Sequence, residues 1–206
     1  MYDISKKYNR VLVVAHIFPP LGGSGVQRTL KFVKYLKKYA WEPVVLTVGK
    51  SAYPINDKSL MADIPTETPI FRIDEEYQID FKGLQELVSL YKGMIDDSEL
   101  INQYILDLFN DMNKLNNLLK LPDRYILWAK TVLNKIDQMI NFNDIDIIYS
   151  TSGPFSDHII AYYLKEKYHK SWVADFRDEW TNHPYVRHDI NSLNYKIQFA
   201  LEDRVV

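Results

Sequence analysis

VLVVAHIFPPLGGSGVQR, residues 11–28, combines three segments that belong to one βα unit. The apolar run at 10–15 predicts a short strand buried on both faces. A loop with two prolines and three glycines follows, and from Gly25 the apolar spacing predicts an amphipathic helix. Loops of this kind present backbone N–H groups beside a helix N-terminus, where an anion can bind. The first functional hypothesis is therefore a phosphate-bearing ligand.

Strands and helices continue to alternate along the rest of the chain. Further strands are predicted at 43–48, 70–73, 145–150 and 172–175. The middle, at about 80–142, is predicted to be helical, with an apolar stripe from Leu100 to Met112. This order predicts an α/β fold, a Rossmann-like parallel sheet with helices on both faces and right-handed crossovers. We expect a single domain over 1–206 that carries the middle segment as a helical insertion.

Local signals predict where three of the later helices begin. Pro122-Asp123 is a typical helix start, and Pro154 suits the first helical position because its φ is fixed. The last helix is predicted from Asn191. Ser152 is the expected capping residue for the helix that begins at Pro154.

Composition and charge exclude several classes of protein. The chain has 206 residues, enough to bury a core, and its net charge of −2 gives no global attraction to nucleic acid. It has no cysteine, so neither a disulfide scaffold nor a thiolate zinc site is expected. Neither a secretion signal nor an apolar run near the ~20 residues of a membrane span is apparent. We therefore expect a cytoplasmic protein.

Three loops that leave the ends of predicted strands carry the unusual residues. They cover 16–25, 150–158 and 175–183. In open α/β sheets, ligands bind beyond the carboxyl ends of the strands, where the strand order reverses. If the first strand and the strand at 145–150 are neighbours, they flank this point. All three loops then line one cleft.

The glycine loop is the candidate site for phosphate. Gly22, Gly23, Ser24 and Gly25 can offer N–H donors because glycine leaves room for close approach. An ordinary glycine-rich turn between a strand and a helix explains the spacing equally well.

The second loop offers hydroxyl groups and one histidine. Ser150, Thr151 and Ser152 end a strand, so that their hydroxyls can bond a ligand or, at Ser152, cap the following helix. His158 lies one turn into that helix, and a lone histidine is more often a packing residue than a catalyst.

The third loop carries the most informative charges. Asp175, Arg177 and Asp178 follow an apolar strand directly, and ionic groups there are costly unless they are paired or bind a ligand. Arg177 can bind phosphate or carboxylate with two hydrogen bonds, and Asp178 can accept bonds from sugar hydroxyls. The alternative is an Asp–Arg pair that only ties loops together.

Two nucleotide-binding fingerprints are not matched in the sequence. Gly49-Lys50-Ser51 looks like the end of a Walker A loop, but Val44 stands where its first glycine belongs. The dinucleotide fingerprint is missing too, and no acidic residue follows the second strand to hold a ribose. Nicotinamide chemistry is therefore not expected.

Four segments carry a resemblance to a known family. They are FPPLGGSGVQR with its following helix, LPDRYILW at 121–128, DIIYSTSGPFSDH at 146–158 and WVADFRDEW at 172–180. In this order they resemble the N-terminal, acceptor-side domain of GT-B glycosyltransferases of glycosyltransferase family 4. The resemblance spans nearly the whole chain.

The resemblance implies one of two Rossmann-like domains that face each other across a cleft. It implies retaining transfer from a nucleotide-sugar donor to a glycan or lipid-linked acceptor, without a metal or other cofactor. Gly22 and Gly23 would lie near the donor diphosphate, and the loops at 150–152 and 175–178 would shape the acceptor site. Proteins of this family often build bacterial cell-surface polysaccharides.

The family's second domain, which supplies most nucleotide contacts, has no counterpart here. We therefore expect one half of an enzyme, inactive alone, whose partner is the missing C-terminal domain and whose membrane contact, if any, is peripheral, at the inner face. One alternative is a non-catalytic Rossmann-like module that binds a phosphorylated or sugar ligand. Another is a different α/β enzyme that uses Arg177 and Asp178 directly.

Overall fold

The structure, a computed structural model, describes residues 8–110, 112–185 and 189–206, without the side chains of residues 112 and 113. Its strands are β1 (Asn9–Val14), β2 (Trp41–Val48), β3 (Ile70–Ile73), β4 (Ile147–Thr151) and β5 (Ser171–Asp175). Its α-helices are α1 (Ser24–Tyr35), α2 (Phe81–Lys92), α3 (Ser98–Asn110), α4 (Met112–Leu118), α5 (Ile126–Lys135), α6 (Ser156–Tyr168) and α7 (Leu193–Val205). The strands begin and end within two residues of their predicted positions.

The five strands form one parallel sheet in the order β3-β2-β1-β4-β5. This is the strand order of a Rossmann-like fold. β1 and β4 are neighbours, with Val11 opposite Ile147 and Val14 opposite Ser150. The predicted fold class and the predicted point of strand-order reversal are therefore confirmed.

The two faces of the sheet bury alternate residues of β1. Leu12 and Val14 belong to a large core with α2, α5, α6 and α7. Val11 and Val13 belong to a smaller core with Leu30 of α1. Because successive strand side chains point to opposite faces, a strand covered on both sides needs a continuous apolar run. Helices lie on both faces, as predicted.

Residues 80–142 connect β3 to β4 and are largely helical, as predicted. Helices α2 to α5 bury large side chains in the larger core, among them Leu87, Tyr104 and Trp128. Met112 was also assigned to the apolar stripe, but its side chain lies outside the described residues. In the ranges that the structure describes, no helix is both long and apolar enough to cross a bilayer.

Three helices begin later than the local signals predicted. Asp123 does not start α5; its half-buried side chain accepts hydrogen bonds from the backbone N–H of Tyr125 and of Ser156, both at 2.9 Å. This contact places the start of α6 at Ser156, so Pro154 is not the first helical residue. Ser192, not Asn191, precedes α7 and caps it. The contact between Asp123 and Ser156 decides where α5 and α6 begin. These residues are far apart in the sequence, so the local pattern at either helix start does not predict it.

Candidate functional site

The carboxyl ends of β1, β4 and β5 bring the three predicted loops together. The backbone N–H of Ser152 donates to the carbonyl of Asp175 at 2.8 Å. The backbone N–H of His16 donates to Asp157 Oδ2 at 3.0 Å. The candidate residues therefore lie at one edge of the sheet, beside the point where the strand order reverses.

The two adjacent glycines of the first loop have different environments. The N–H of Gly22 donates to the carbonyl of Ile55 at 2.9 Å, and a Cβ on Gly22 would lie 3.0 Å from the Ile55 side chain. The N–H of Gly22 is therefore already used within the protein. Gly23 is exposed, with a φ of 95° that favours glycine.

Gly23 is the N-cap of α1 and leaves this helix end without a side-chain cap. Neither a capping hydrogen bond nor an acidic residue in the first turn compensates the helix dipole. The first N–H groups of a helix have no intrahelical acceptor. Ser24 is exposed and Gly25 is half-buried, so this positive end of α1 is open to an anion.

The guanidinium group of Arg177 lies in a slot between two glycines. A Cβ on Gly25 would be 2.6 Å from Arg177 Nη1, and a Cβ on Gly153 would be 2.5 Å from Nη2. Gly153 also has a φ of 78°, where other residues are strained. Gly153 is not among the site residues predicted from the sequence. The slot requires glycine on both sides because any side chain would displace the guanidinium group.

The two terminal nitrogens of Arg177 have no acceptor among the residues that the structure describes. Its Nε donates to Asp178 Oδ2 at 3.0 Å, which fixes the orientation of the guanidinium plane. Within the described residues, no acceptor bonds Nη1 or Nη2. A planar fork with free terminal nitrogens is the geometry that binds phosphate or carboxylate with two bonds.

Asp175 pairs with Arg28, a partner that was not predicted from the sequence. Its carboxylate accepts from Arg28 Nη1 at 2.8 and 3.0 Å, from Tyr149 Oη at 2.6 Å and from Thr151 Oγ1 at 3.1 Å. Burial acts to raise the pKa of Asp175, but the hydrogen bonds from Tyr149, Arg28 and Thr151 outweigh it and lower the pKa. Asp175 thus ties α1 to the sheet edge, through Arg28 and not through Arg177.

The hydroxyl residues of the second loop are buried and bonded within the protein. Ser150 Oγ accepts from Trp172 Nε1 at 2.9 Å and lies 2.7 Å from His158 Nδ1. Ser152 Oγ accepts from the backbone N–H of Arg177 at 2.9 Å. The prediction that Ser152 caps α6 is wrong, because its hydroxyl supports the loop after β5 instead.

The buried position of His158 predicts that the stability of the protein depends on pH. Burial lowers its pKa from 6.5 to about 4, although the charge of Asp175 acts in the opposite direction. Below pH 6.5 the unfolded chain therefore takes up a proton that the folded chain resists. We expect the free energy of unfolding to fall by about 3 kcal/mol between pH 6.5 and 4 from this residue alone. Urea denaturation at a series of pH values measures this fall in the free energy of unfolding.

The control for this prediction is a pair of variants. His158→Gln should lose that part of the pH slope, whereas His183→Gln in the loop after β5 should keep it. A His158→Gln profile that runs parallel to the wild-type profile between pH 6.5 and 4 would contradict the assignment.

A buried hydrogen-bonded pair, His16 with Glu75, was not predicted from the sequence. His16 Nε2 lies 2.6 Å from Glu75 Oε1, and the His16 ring packs on Tyr125 with 4.0 Å between ring centroids. Burial opposes the ionisation of Glu75, but its hydrogen bonds, with that from His16 the largest, lower its pKa to about 2. Glu75 lies two residues after the end of β3. The rule that site residues follow the carboxyl ends of parallel strands was applied to the first, fourth and fifth strands, and its application to β3 would have indicated Glu75. Among the described residues, no group of three or more His, Asp or Glu side chains could hold a metal ion.

Comparisons with known proteins add little to this geometry. No known family and no curated protein matches the chain. A similar solved structure is the C-terminal domain of a hydrogenase from Pyrococcus furiosus, 11% identical, with a TM-score of 0.41 over 85% of this chain and 97% of that chain. A similarity this low carries no argument about function.

Proposed function

We propose that the open end of α1 and the free fork of Arg177 together bind the phosphate groups of a ligand. One observation supports this: the guanidinium group lies against Gly25, in the first turn of an uncapped helix. A cation at a helix N-terminus is electrostatically unfavourable, whereas an anion is favoured there. Asp178 offsets the charge only at Nε. An anion between the two positive groups would remove the remaining repulsion.

We further propose that the ligand is a nucleotide sugar and that the chain is the N-terminal domain of a retaining glycosyltransferase. The acceptor would be a glycan or a lipid-linked glycan, in the synthesis of bacterial cell-surface polysaccharide at the cytoplasmic side of the membrane. Support comes from the four resembling segments and from the Rossmann-like sheet. The diphosphate of a nucleotide sugar also matches the two positive groups, which are the N-terminal end of α1 and the guanidinium group of Arg177. Transfer would require a second, C-terminal domain.

A non-catalytic module that binds a phosphorylated ligand is the second candidate. Ser150, Thr151 and Ser152 are buried and hydrogen-bonded within the protein. His158 Nε2 has no hydrogen-bond partner in the described part of the chain, but the side chain is fully buried, so none of the four is exposed to an acceptor hydroxyl. This observation favours binding over catalysis by these residues.

Titration of the full chain with pyrophosphate tests the anion site. We expect shifts in the backbone amide resonances of 23–26 and in the Nε resonance of Arg177, with weak affinity. Gly25→Val should strongly reduce these shifts, because the new side chain displaces the guanidinium group. Lys120→Gln, an exposed charge change on the helical segment, is the control. Shifts elsewhere, or unchanged shifts in Gly25→Val, would contradict the proposal.

Sugar transfer separates the two candidate functions. A polypeptide that joins this domain to a second Rossmann-like domain would be assayed with nucleotide sugars and lipid-linked or glycan acceptors. Transfer that is lost in Gly25→Val supports the glycosyltransferase. Pyrophosphate binding without transfer supports the binding module.

A further inference from the structure

The loop after β2 packs against the glycine loop that precedes α1. The backbone N–H of Asp57 donates to the carbonyl of Pro20 at 2.8 Å, and the carbonyl of Ile55 accepts from the N–H of Gly22 at 2.9 Å. An antiparallel β-bridge lies between these two hydrogen bonds. The loop after β2 is therefore held in a defined position relative to the N-terminal end of α1.

This arrangement places the hydroxyl group of Tyr53 at the open end of α1. A Cβ on Gly23 would lie 3.3 Å from Tyr53 Oη. The Tyr53 ring is half-buried and packs on the large core, which restricts the position of the hydroxyl group. That hydroxyl group has no hydrogen-bond partner among the residues that the structure describes. A phenolic O–H is a hydrogen-bond donor, and here it lies beside the positive end of a helix.

The buried pair of His16 and Glu75 holds the backbone that carries Tyr53. The Glu75 carboxylate accepts from Ser51 Oγ at 2.6 Å and from the N–H of Ala52 at 3.2 Å. Ser51 Oγ in turn accepts from the N–H of Tyr53 at 3.0 Å. Because His16 contacts the same carboxylate, the segment before Tyr53 is tied to the end of β1. Glu75 is thus a positioning residue for Tyr53.

Tyr53 and Arg177 approach the open end of α1 at different residues. The guanidinium group lies against Gly25. At Gly23, apart from its neighbours in the chain, the described residues that come within 4 Å of a Cβ are Tyr53 and Ile55. The first turn therefore has a hydroxyl donor at its start and a cation two residues later. Donors at separate residues suit an anion with two linked phosphate groups better than a single phosphate.

We propose that the Tyr53 hydroxyl group donates to the second phosphate of a diphosphate whose first phosphate is bound by Arg177. The inference rests on the proposed anion site, and it gives that site a preference for two linked phosphates over one. The phenol carries no charge at neutral pH, so it selects its ligand through a short hydrogen bond and not through attraction at a distance.

Calorimetric titration of the full chain with pyrophosphate and with inorganic phosphate tests this inference. We expect Tyr53→Phe to weaken pyrophosphate binding by at least about fivefold and inorganic phosphate binding by less than about twofold. The substitution keeps the packed ring and removes only the hydroxyl group. In protein with isotopically labelled tyrosine, the Tyr53 Cζ resonance should shift with pyrophosphate and stay in place with inorganic phosphate.

Tyr39→Phe is the matched control, because Tyr39 is 75% exposed in the turn that follows α1, at the other end of this helix. It should bind both anions as the wild type does. If the wild type binds neither anion, the proposed phosphate site is wrong, and this inference is wrong with it. If Arg177→Ala weakens pyrophosphate binding but Tyr53→Phe does not, or if Tyr53→Phe weakens the binding of both anions equally, the phosphate site stands and the role of Tyr53 is wrong.

Discussion

Arg177→Ala is expected to weaken pyrophosphate binding to the full chain by at least about thirtyfold, as measured by calorimetry. The substitution removes a planar fork whose two terminal nitrogens have no acceptor in the described part of the chain. Hydrogen bonds between charged groups contribute about 1.5–3 kcal/mol each, so the loss of one already accounts for this factor. The helix end at Gly23–Gly25 would remain, and it explains why some binding should persist.

Two further variants make the Arg177 prediction specific. Arg177→Lys keeps the charge but not the fork, and it should give an intermediate affinity. Arg204→Ala removes an exposed guanidinium group on α7 and should leave the affinity unchanged. If Arg177→Ala binds pyrophosphate as tightly as the wild type, Arg177 does not contact the anion.

Trp128→Ala is expected to lower the free energy of unfolding by about 4 kcal/mol. Trp128 is fully buried in the large core, and its ring meets His16 edge-on at 4.9 Å between centroids. Its Nε1 donates to the carbonyl of Ile73 at 2.9 Å, so truncation also removes one of the two hydrogen bonds that this carbonyl accepts, the other coming from the backbone N–H of Gly49. Domains of this size are stable by about 5–15 kcal/mol, and the loss is a large part of that.

Urea denaturation with two comparison variants checks the Trp128 prediction. Trp128→Phe keeps most of the ring but not the N–H, and it should cost about 1–2 kcal/mol less than alanine. Phe109→Ala, on the exposed side of α3, should change stability by no more than about 0.5 kcal/mol. A loss below about 1 kcal/mol for Trp128→Ala would mean that the helical segment does not depend on this contact with β3.

The sequence was sufficient to predict that the three loops of the candidate site lie close together. Parallel strands place their carboxyl ends at one edge, so the loops after β1, β4 and β5 were expected to converge. The partners within that edge were not predictable. Arg28 and Asp175 are 147 positions apart, and nothing in their local sequence favours this pair over Arg177 with Asp175. Nor does a turn sequence reveal that Gly25 and Gly153 face the same guanidinium group.

The sequence by itself determined the order of strands and helices, the parallel sheet and the helical segment at 80–142. These follow from hydrophobic periodicity and chain connectivity, which are local or topological properties. Only the tertiary structure decided which hydroxyls are buried, where α6 begins and which charges pair. Those outcomes depend on contacts such as that of Asp123 with Ser156, between residues that folding brings together and that no short stretch of sequence contains.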